Sequence, residues 1–240
     1  MNTAVQSLPH ADLTWTPELV QEFWHYYASH RQVDYFTYLF GAQVIEQTKG
    51  YYQPSAIVCD YGCGAGFLME HILKSHRASG CDFTPKNIEA TRDRIGKHPN
   101  LLQLFSVADA VHVNGTFDVI YVVETIEHVL EGDLDIFFQT INRLLKPNGV
   151  VIATTPNEED LQTNAVYCPC CKHSFHRWQH IRSFDSIRIQ SFMSKGGFIA
   201  TKVFATDFAA VKWWPRFKAA ARPILGKKNP HLVYIGYKPS

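Results

Sequence analysis

Three groups of residues in this sequence have the types and spacing that chemistry needs. The first is Asp60-x-Gly62-x-Gly64-x-Gly66, an acid and three alternating glycines that follow the apolar run Ala56 to Cys59. Glycine removes the Cβ where a backbone must turn sharply and lets a ligand come close to it. The second is Glu124-x-x-Glu127-His128, two carboxylates and an imidazole at i, i+3 and i+4, which share a face if they lie on one helical turn. Oxygen ligands with a nitrogen suit a hard divalent ion such as Mg²⁺ or Mn²⁺, which would bind substrate oxygens and lower the pKa of the reacting one. The other reading is that Glu127 and His128 cap and line a pocket without metal. The third group is the run from Tyr167 to His180, in which Cys168-x-x-Cys171 is followed by His173, His176 and His180. These are the ligand types of a zinc knuckle, with Cys168, Cys171 and His176 as ligands and either His173 or His180 as the fourth. Two neighbouring thiols without metal are the alternative.

The elements that position the first group are a strand and a helix. Ala56 to Cys59 lacks polar alternation, as in a strand buried on both faces of a parallel sheet. After Gly66, the residues Phe67, Leu68, Ile72 and Leu73 fall at helical spacing. A dinucleotide fingerprint would place its third glycine at position 67, where Phe67 stands. Asp60 would repel a pyrophosphate but attract a ligand carrying ammonium and sulfonium charges. The pattern fits S-adenosylmethionine better than NAD.

With this acid-x-Gly-x-Gly-x-Gly motif the sequence resembles the class I S-adenosylmethionine-dependent methyltransferases. The resemblance runs over residues 55 to 156 and includes the stretch from Leu144 through Pro147-Asn148-Gly149 into a further strand. It implies an α/β fold, a Rossmann-like, doubly wound seven-stranded sheet in the order 3-2-1-4-5-7-6 with helices on both faces, here with a small Cys/His insertion. It also implies a cofactor site of Asp60, Tyr61, Gly62, Cys63, Gly64 and Gly66. Asp82 and Phe83 would lie at the ribose, Ala108 and Asp109 at the adenine, and Glu124 at the next strand end. Glu124-x-x-Glu127-His128 is similar to an element of the ubiquinone-pathway O-methyltransferases and of the small-RNA 2′-O-methyltransferases. Those families add a histidine after the fifth strand, best matched here by His180, with His176 competing. The implied metal ligands are then Glu124, Glu127, His128 and His180, and the catalytic residues Glu127, His128 and His180. His180 cannot easily serve this site and a zinc knuckle together.

The rest of the chain supplies strands and helices in alternation. Thr16-Pro17-Glu18 opens a helix, and Phe36, Leu39, Phe40 and Val44 line a second. Ala78 to Phe83, Leu101 to Val107, Phe117 to Val123 and Val150 to Thr155 read as strands, and Asp133 starts a helix ended by Pro147-Asn148-Gly149. The expected organisation is helices covering the site over 1–50 and a methyltransferase domain over 51–240. Within it lie a Cys/His insertion at 165–182 and a basic aromatic segment at 207–229.

Composition restricts partners. Hydrophobic residues make up 46% and charged residues 19%, so the chain is globular, and a net charge of +1 gives no general drive toward nucleic acid. Met1 to His10 lacks the basic start and apolar stretch of a signal peptide, and no run approaches the ~18 apolar residues of a membrane span. A cytoplasmic location is expected. Between Asp207 and Lys228 six basic residues face one acid and interleave with aromatics, a composition suited to peripheral contact with the inner membrane face. The expected reaction is O-methylation of a small-molecule or glycan- or lipid-linked acceptor. The alternatives are RNA 2′-O-methylation and a cofactor-binding regulatory protein without chemistry.

Overall fold

The computed structural model describes residues 11–209 and 228–240. Most of the basic aromatic segment expected at 207–229 therefore lies outside the described residues. No helix among the described residues is long and apolar enough to cross a membrane.

Two helices lead the chain, α1 (Pro17–His30) and α2 (Phe36–Thr48), after a two-residue strand β1 (Ala11–Asp12). Alternation then begins: β2 (Val58–Tyr61), α3 (Phe67–Ile72), β3 (Ala78–Asp82), α4 (Pro85–Ile95), β4 (Leu101–Ser106), β5 (Phe117–Val123), α5 (Leu134–Leu144) and β6 (Leu145–Pro156). A hairpin of β7 (Ala165–Cys168) and β8 (His173–His176) follows, then α6 (Ser186–Lys195), β9 (Ile199–Thr206) and β10 (His231–Tyr237). The large sheet has the order β4-β3-β2-β5-β6-β10-β9, which is 3-2-1-4-5-7-6 when its strands are counted along the chain. Only β10 runs antiparallel to its neighbours.

The strands are apolar on both faces because both faces are covered. In β5, Val119, Tyr121 and Val123 pack with Val44, Leu68 and Met69 on one side. Ile120 and Val122 pack with Phe137, Ile141 and Phe192 on the other. The Tyr121 hydroxyl buried in this core is satisfied by Thr48 Oγ1 at 2.7 Å and the Tyr52 hydroxyl at 2.9 Å.

Two local expectations need correction. Pro147-Asn148-Gly149 does not end α5, which stops at Leu144; these residues lie within the span of β6. There the register with β5 shifts, Asn148 takes φ +60°, and its N–H donates to Lys238 O at 2.9 Å. Residues 124–130 form a turn, not a helix, so helical spacing is not what groups Glu124, Glu127 and His128.

The Cys/His insertion is a hairpin whose strand β8 also pairs with β1, giving a three-stranded sheet β1-β8-β7. Cys168 faces His173 across the hairpin, and Ala165 faces His176. The thiols thus sit at the exposed tip and His176 at the buried base. Successive strand residues rise by about 3.3 Å, so His176 is out of reach of Cys168 and Cys171. The zinc set of Cys168, Cys171 and His176 is not assembled. Among the described residues, no third His, Cys, Asp or Glu ligand converges on the two thiols.

Candidate active site

The glycine loop after β2 is shaped by what packs against it. Gly62 and Gly64 have φ of +81° and +54°, backbone that favours glycine. A Cβ at Gly62 would stand 2.7 Å from Thr125 Oγ1, and one at Gly64 would stand 2.9 Å from the Tyr35 ring. The loop is therefore clamped between the segment after β5 and the residue that precedes α2. Asp82, at the end of β3, accepts from Gly64 N–H at 2.9 Å, Thr84 N–H at 2.8 Å and Asn87 Nδ2 at 3.1 Å. It ties the loop to the start of α4. Asp60 is buried behind the loop with one carboxyl oxygen unpartnered, and burial, then the nearby Asp82, push its pKa up to about 8.

A cavity of about 570 Å³ opens beside this loop, within the ~300–1,000 Å³ usual for small-ligand sites. Tyr61, Gly62, Cys63, Gly64, Asp82, Phe83 and Glu124 line it, as the sequence leads one to expect. Gly66, Asp60, Ala108 and Asp109 do not. Gly66 starts α3, while Asp109 is exposed and bound to Ser106 Oγ at 2.6 Å; Val107 holds the wall there instead. Sequence reasoning passed over Trp24, Tyr27, Tyr35, Asn87, Thr125, Glu159 and Trp178, which also line the cavity. The aromatic ones come from α1, the link to α2 and the hairpin base. They look like ordinary core residues until the tertiary structure sets them around a cavity.

The same cavity is also lined by part of a cluster of carboxylates and imidazoles. The ligand atoms of Glu127, His128 and His180 lie within 4.8 Å of one another, as do those of Glu159, His176 and His180. Glu124 is not among them; its carboxylate accepts from Thr154 Oγ1 at 2.8 Å. The expected four-ligand set is thus corrected to three, with Glu159 and His176 adjoining. His128 and His180 line the cavity, whereas Glu127 is fully buried behind its wall. Neither oxygen of Glu127 has a hydrogen-bond partner.

The electrostatics separate these acids. Burial, then the charge of Glu124, hold Glu127 well above the usual carboxylate range, and burial pushes Glu124 up to about 8. Burial, then His180, keep His128 neutral by pulling its pKa well down. Glu159 goes the other way: burial would raise it, but His176 and His180 together hold it at about 2. His180 Nδ1 lies 2.5 Å from Glu159 Oε2. His176 Nε2 lies 3.3 Å from Glu159 Oε1, close to it but too poorly aimed for a good hydrogen bond.

Gln179 joins this cluster to the leading helices. Its side chain accepts from Trp24 Nε1 at 3.0 Å and donates to His128 O at 3.1 Å, while its carbonyl faces His128 Nδ1 at 3.4 Å. Glu124, Glu158 and Gln179 all take positive φ without being glycine, and all adjoin the cluster. Strained backbone concentrated in this way is a mark of functional sites.

The residues present fit a divalent ion. A buried carboxylate with two unpartnered oxygens beside two imidazoles is a donor set short of a positive charge.

A family model described as a methyltransferase domain matches residues 24–221. The ubiquinone biosynthesis O-methyltransferase of Bradyrhizobium diazoefficiens is 30% identical over 102 residues, 42% of this chain and 40% of that protein. The 2-methyl-6-phytyl-1,4-hydroquinone methyltransferase of a Synechocystis species is 25% identical over 135 residues, 53% of this chain and 41% of that protein. The matches span about two fifths of the length of these relatives. Among solved structures, the 1,6-didemethyltoxoflavin-N1-methyltransferase of Burkholderia thailandensis superposes with a TM-score of 0.60 at 16% identity, covering 99% of this chain and 98% of that one. That likeness concerns the fold.

Proposed function

Since the chain belongs to the methyltransferase-domain family, we propose that it transfers the methyl group of S-adenosylmethionine to a hydroxyl of a small, flat, largely apolar acceptor. One observation carries this reading: a single cavity runs from the glycine loop and Asp82 to His128 and His180. The donor would lie along the loop, with Asp82 at its ribose. The acceptor would lie between Trp24, Tyr27 and Trp178, whose faces suit an aromatic ring.

In the reaction the acceptor oxygen attacks the methyl carbon, the carbon–sulfur bond breaks, and its electron pair stays on sulfur as a neutral thioether. The oxygen must give up its proton, and in the absence of an ion His128 or His180 is placed to take it. Glu127, His128 and His180 would hold a divalent ion, which when bound would lower the pKa of that hydroxyl. The remaining work is alignment of donor and acceptor and exclusion of water, which α1 and the hairpin base supply by covering the cavity.

Glu127→Ala tests the reading. Cofactor affinity measured by calorimetry should stay within about threefold, because Glu127 does not line the cofactor side. Turnover of labelled donor on a panel of phenols and hydroquinones should fall by on the order of 10² or more. Equal loss of cofactor binding and turnover would count against it.

A further inference from the structure

We propose that Glu159 is a positioning residue that fixes the tautomer of His180, making Nε2 the lone-pair nitrogen of that ring. The inference rests on reading the cluster as the place where the acceptor oxygen is activated. It starts from His176. The Nδ1 of His176 lies 3.3 Å from Trp178 N–H and 3.2 Å from His180 N–H, and backbone N–H groups can only donate. His176 Nδ1 is therefore an acceptor, and its proton is on Nε2, the nitrogen that faces Glu159 Oε1. His180 presents Nδ1 to the other oxygen, Glu159 Oε2, at 2.5 Å. A carboxylate only accepts, so this nitrogen carries the proton and Nε2 is left with its lone pair.

The same logic applies to His128, whose Nδ1 faces the Gln179 carbonyl at 3.4 Å and whose ring lies 4.9 Å from that of His180. Each of the two rings that line the cavity thus has Nδ1 committed to an oxygen of the protein and Nε2 available. Metal-binding histidines show this arrangement, with the second nitrogen bound to a carboxylate or a backbone carbonyl. Glu159 takes the N–H of His180 and faces that of His176 at 3.3 Å, whereas neither oxygen of Glu127 has a hydrogen-bond partner. Glu127 is the acid that would contact a cation, and Glu159 is the one that orients the ring.

Glu159→Gln gives a specific outcome. A carboxylate offers an acceptor to both rings, whereas an amide offers one acceptor and one donor. His176 is locked by the backbone and keeps its demand for an acceptor, so the amide oxygen turns to it. His180 then faces the NH₂ group and moves its proton from Nδ1 to Nε2. Long-range ¹⁵N–¹H spectra of selectively labelled protein should show the Nδ1–H tautomer of His180 in the wild type and the Nε2–H tautomer in Glu159→Gln. His176 should be unchanged. Mn²⁺ affinity, followed by calorimetry on protein stripped of metal, should fall about 10–100-fold. S-Adenosylhomocysteine affinity and the circular dichroism spectrum should not change.

Glu159→Asp, which keeps a carboxylate, should retain the wild-type tautomer if it folds, and so separates charge and geometry from overall damage. An Nε2–H tautomer in the wild type, or an unchanged His180 in Glu159→Gln, overturns the proposal. If the tautomers behave as stated but no phenol is methylated, the proposed reaction fails and the positioning role stands.

Discussion

At the residue scale, the acid that opens the glycine motif does not line the cavity, and the role proposed for it is one of charge. Asp60 is buried, lies outside the wall, and titrates at about 8 because burial and Asp82 oppose its ionisation. A sulfonium ligand favours the ionised form, so below pH 8 the group must release a proton as the donor binds. The neutral thioether product makes no such demand. The preference for S-adenosylmethionine over S-adenosylhomocysteine should therefore grow from pH 6.5 to 8.5, by at most about tenfold per pH unit. Glu124, also near 8, lines the same cavity; flattening of the dependence in Asp60→Asn would separate the two. Calorimetry in buffers of different ionisation enthalpy counts the protons released. An equal preference at both ends of the range would refute the assignment.

At the element scale, α1 and the hairpin base form one cover. Trp24 on α1 packs edge-on to His128 at 4.8 Å and bonds Gln179, while Tyr27 lies 5.5 Å from the ring of Trp178. These contacts involve no residue of the glycine loop. Trp24→Ala should raise the acceptor KM by roughly tenfold, as loss of a half-buried aromatic anchor of about 2 kcal/mol or less predicts. Cofactor affinity should change by less than about twofold. Steady-state kinetics with the two substrates varied separately checks this, and a matching rise in cofactor KM would show that the cover is not confined to the acceptor side.

At the scale of the whole molecule, the site is stored charge stress. A carboxyl whose folded pKa is raised keeps its proton in the folded chain after the unfolded chain has lost it, so stability falls as pH rises from its ordinary value to the raised one. Asp60 and Glu124, both near 8, and Glu127 act in this direction. His128, with its lowered pKa, costs stability only below about 6.5, where the unfolded chain takes up the proton, and Glu159 matters only below about 4.5. Between pH 6.5 and 8 the raised carboxyls are left unopposed by either group. The ligand-free protein should lose Tm across this window, and Glu124→Gln should shallow the slope. Saturating cofactor at about 100 times Kd should add about 2.7 kcal/mol. A Tm that rises from pH 6.5 to 8 without ligands would contradict this account.

The sequence by itself determined the parts governed by local physics. Apolar runs without alternation marked β2 and β5, Thr16-Pro17 marked the start of α1, and the spacing of Gly62, Gly64 and Asp82 placed a loop and an acid at adjacent strand ends. Backbone preference and burial pattern are written residue by residue, so they can be read that way. Only the tertiary structure decided which distant groups meet. Glu159 reaches His180 because β6 ends beside the hairpin base, His176 turns away from Cys168 because strand register sets them at opposite ends, and Glu124 is claimed by Thr154. Contacts of this kind depend on chain reversals between elements far apart in sequence, and no spacing rule encodes them.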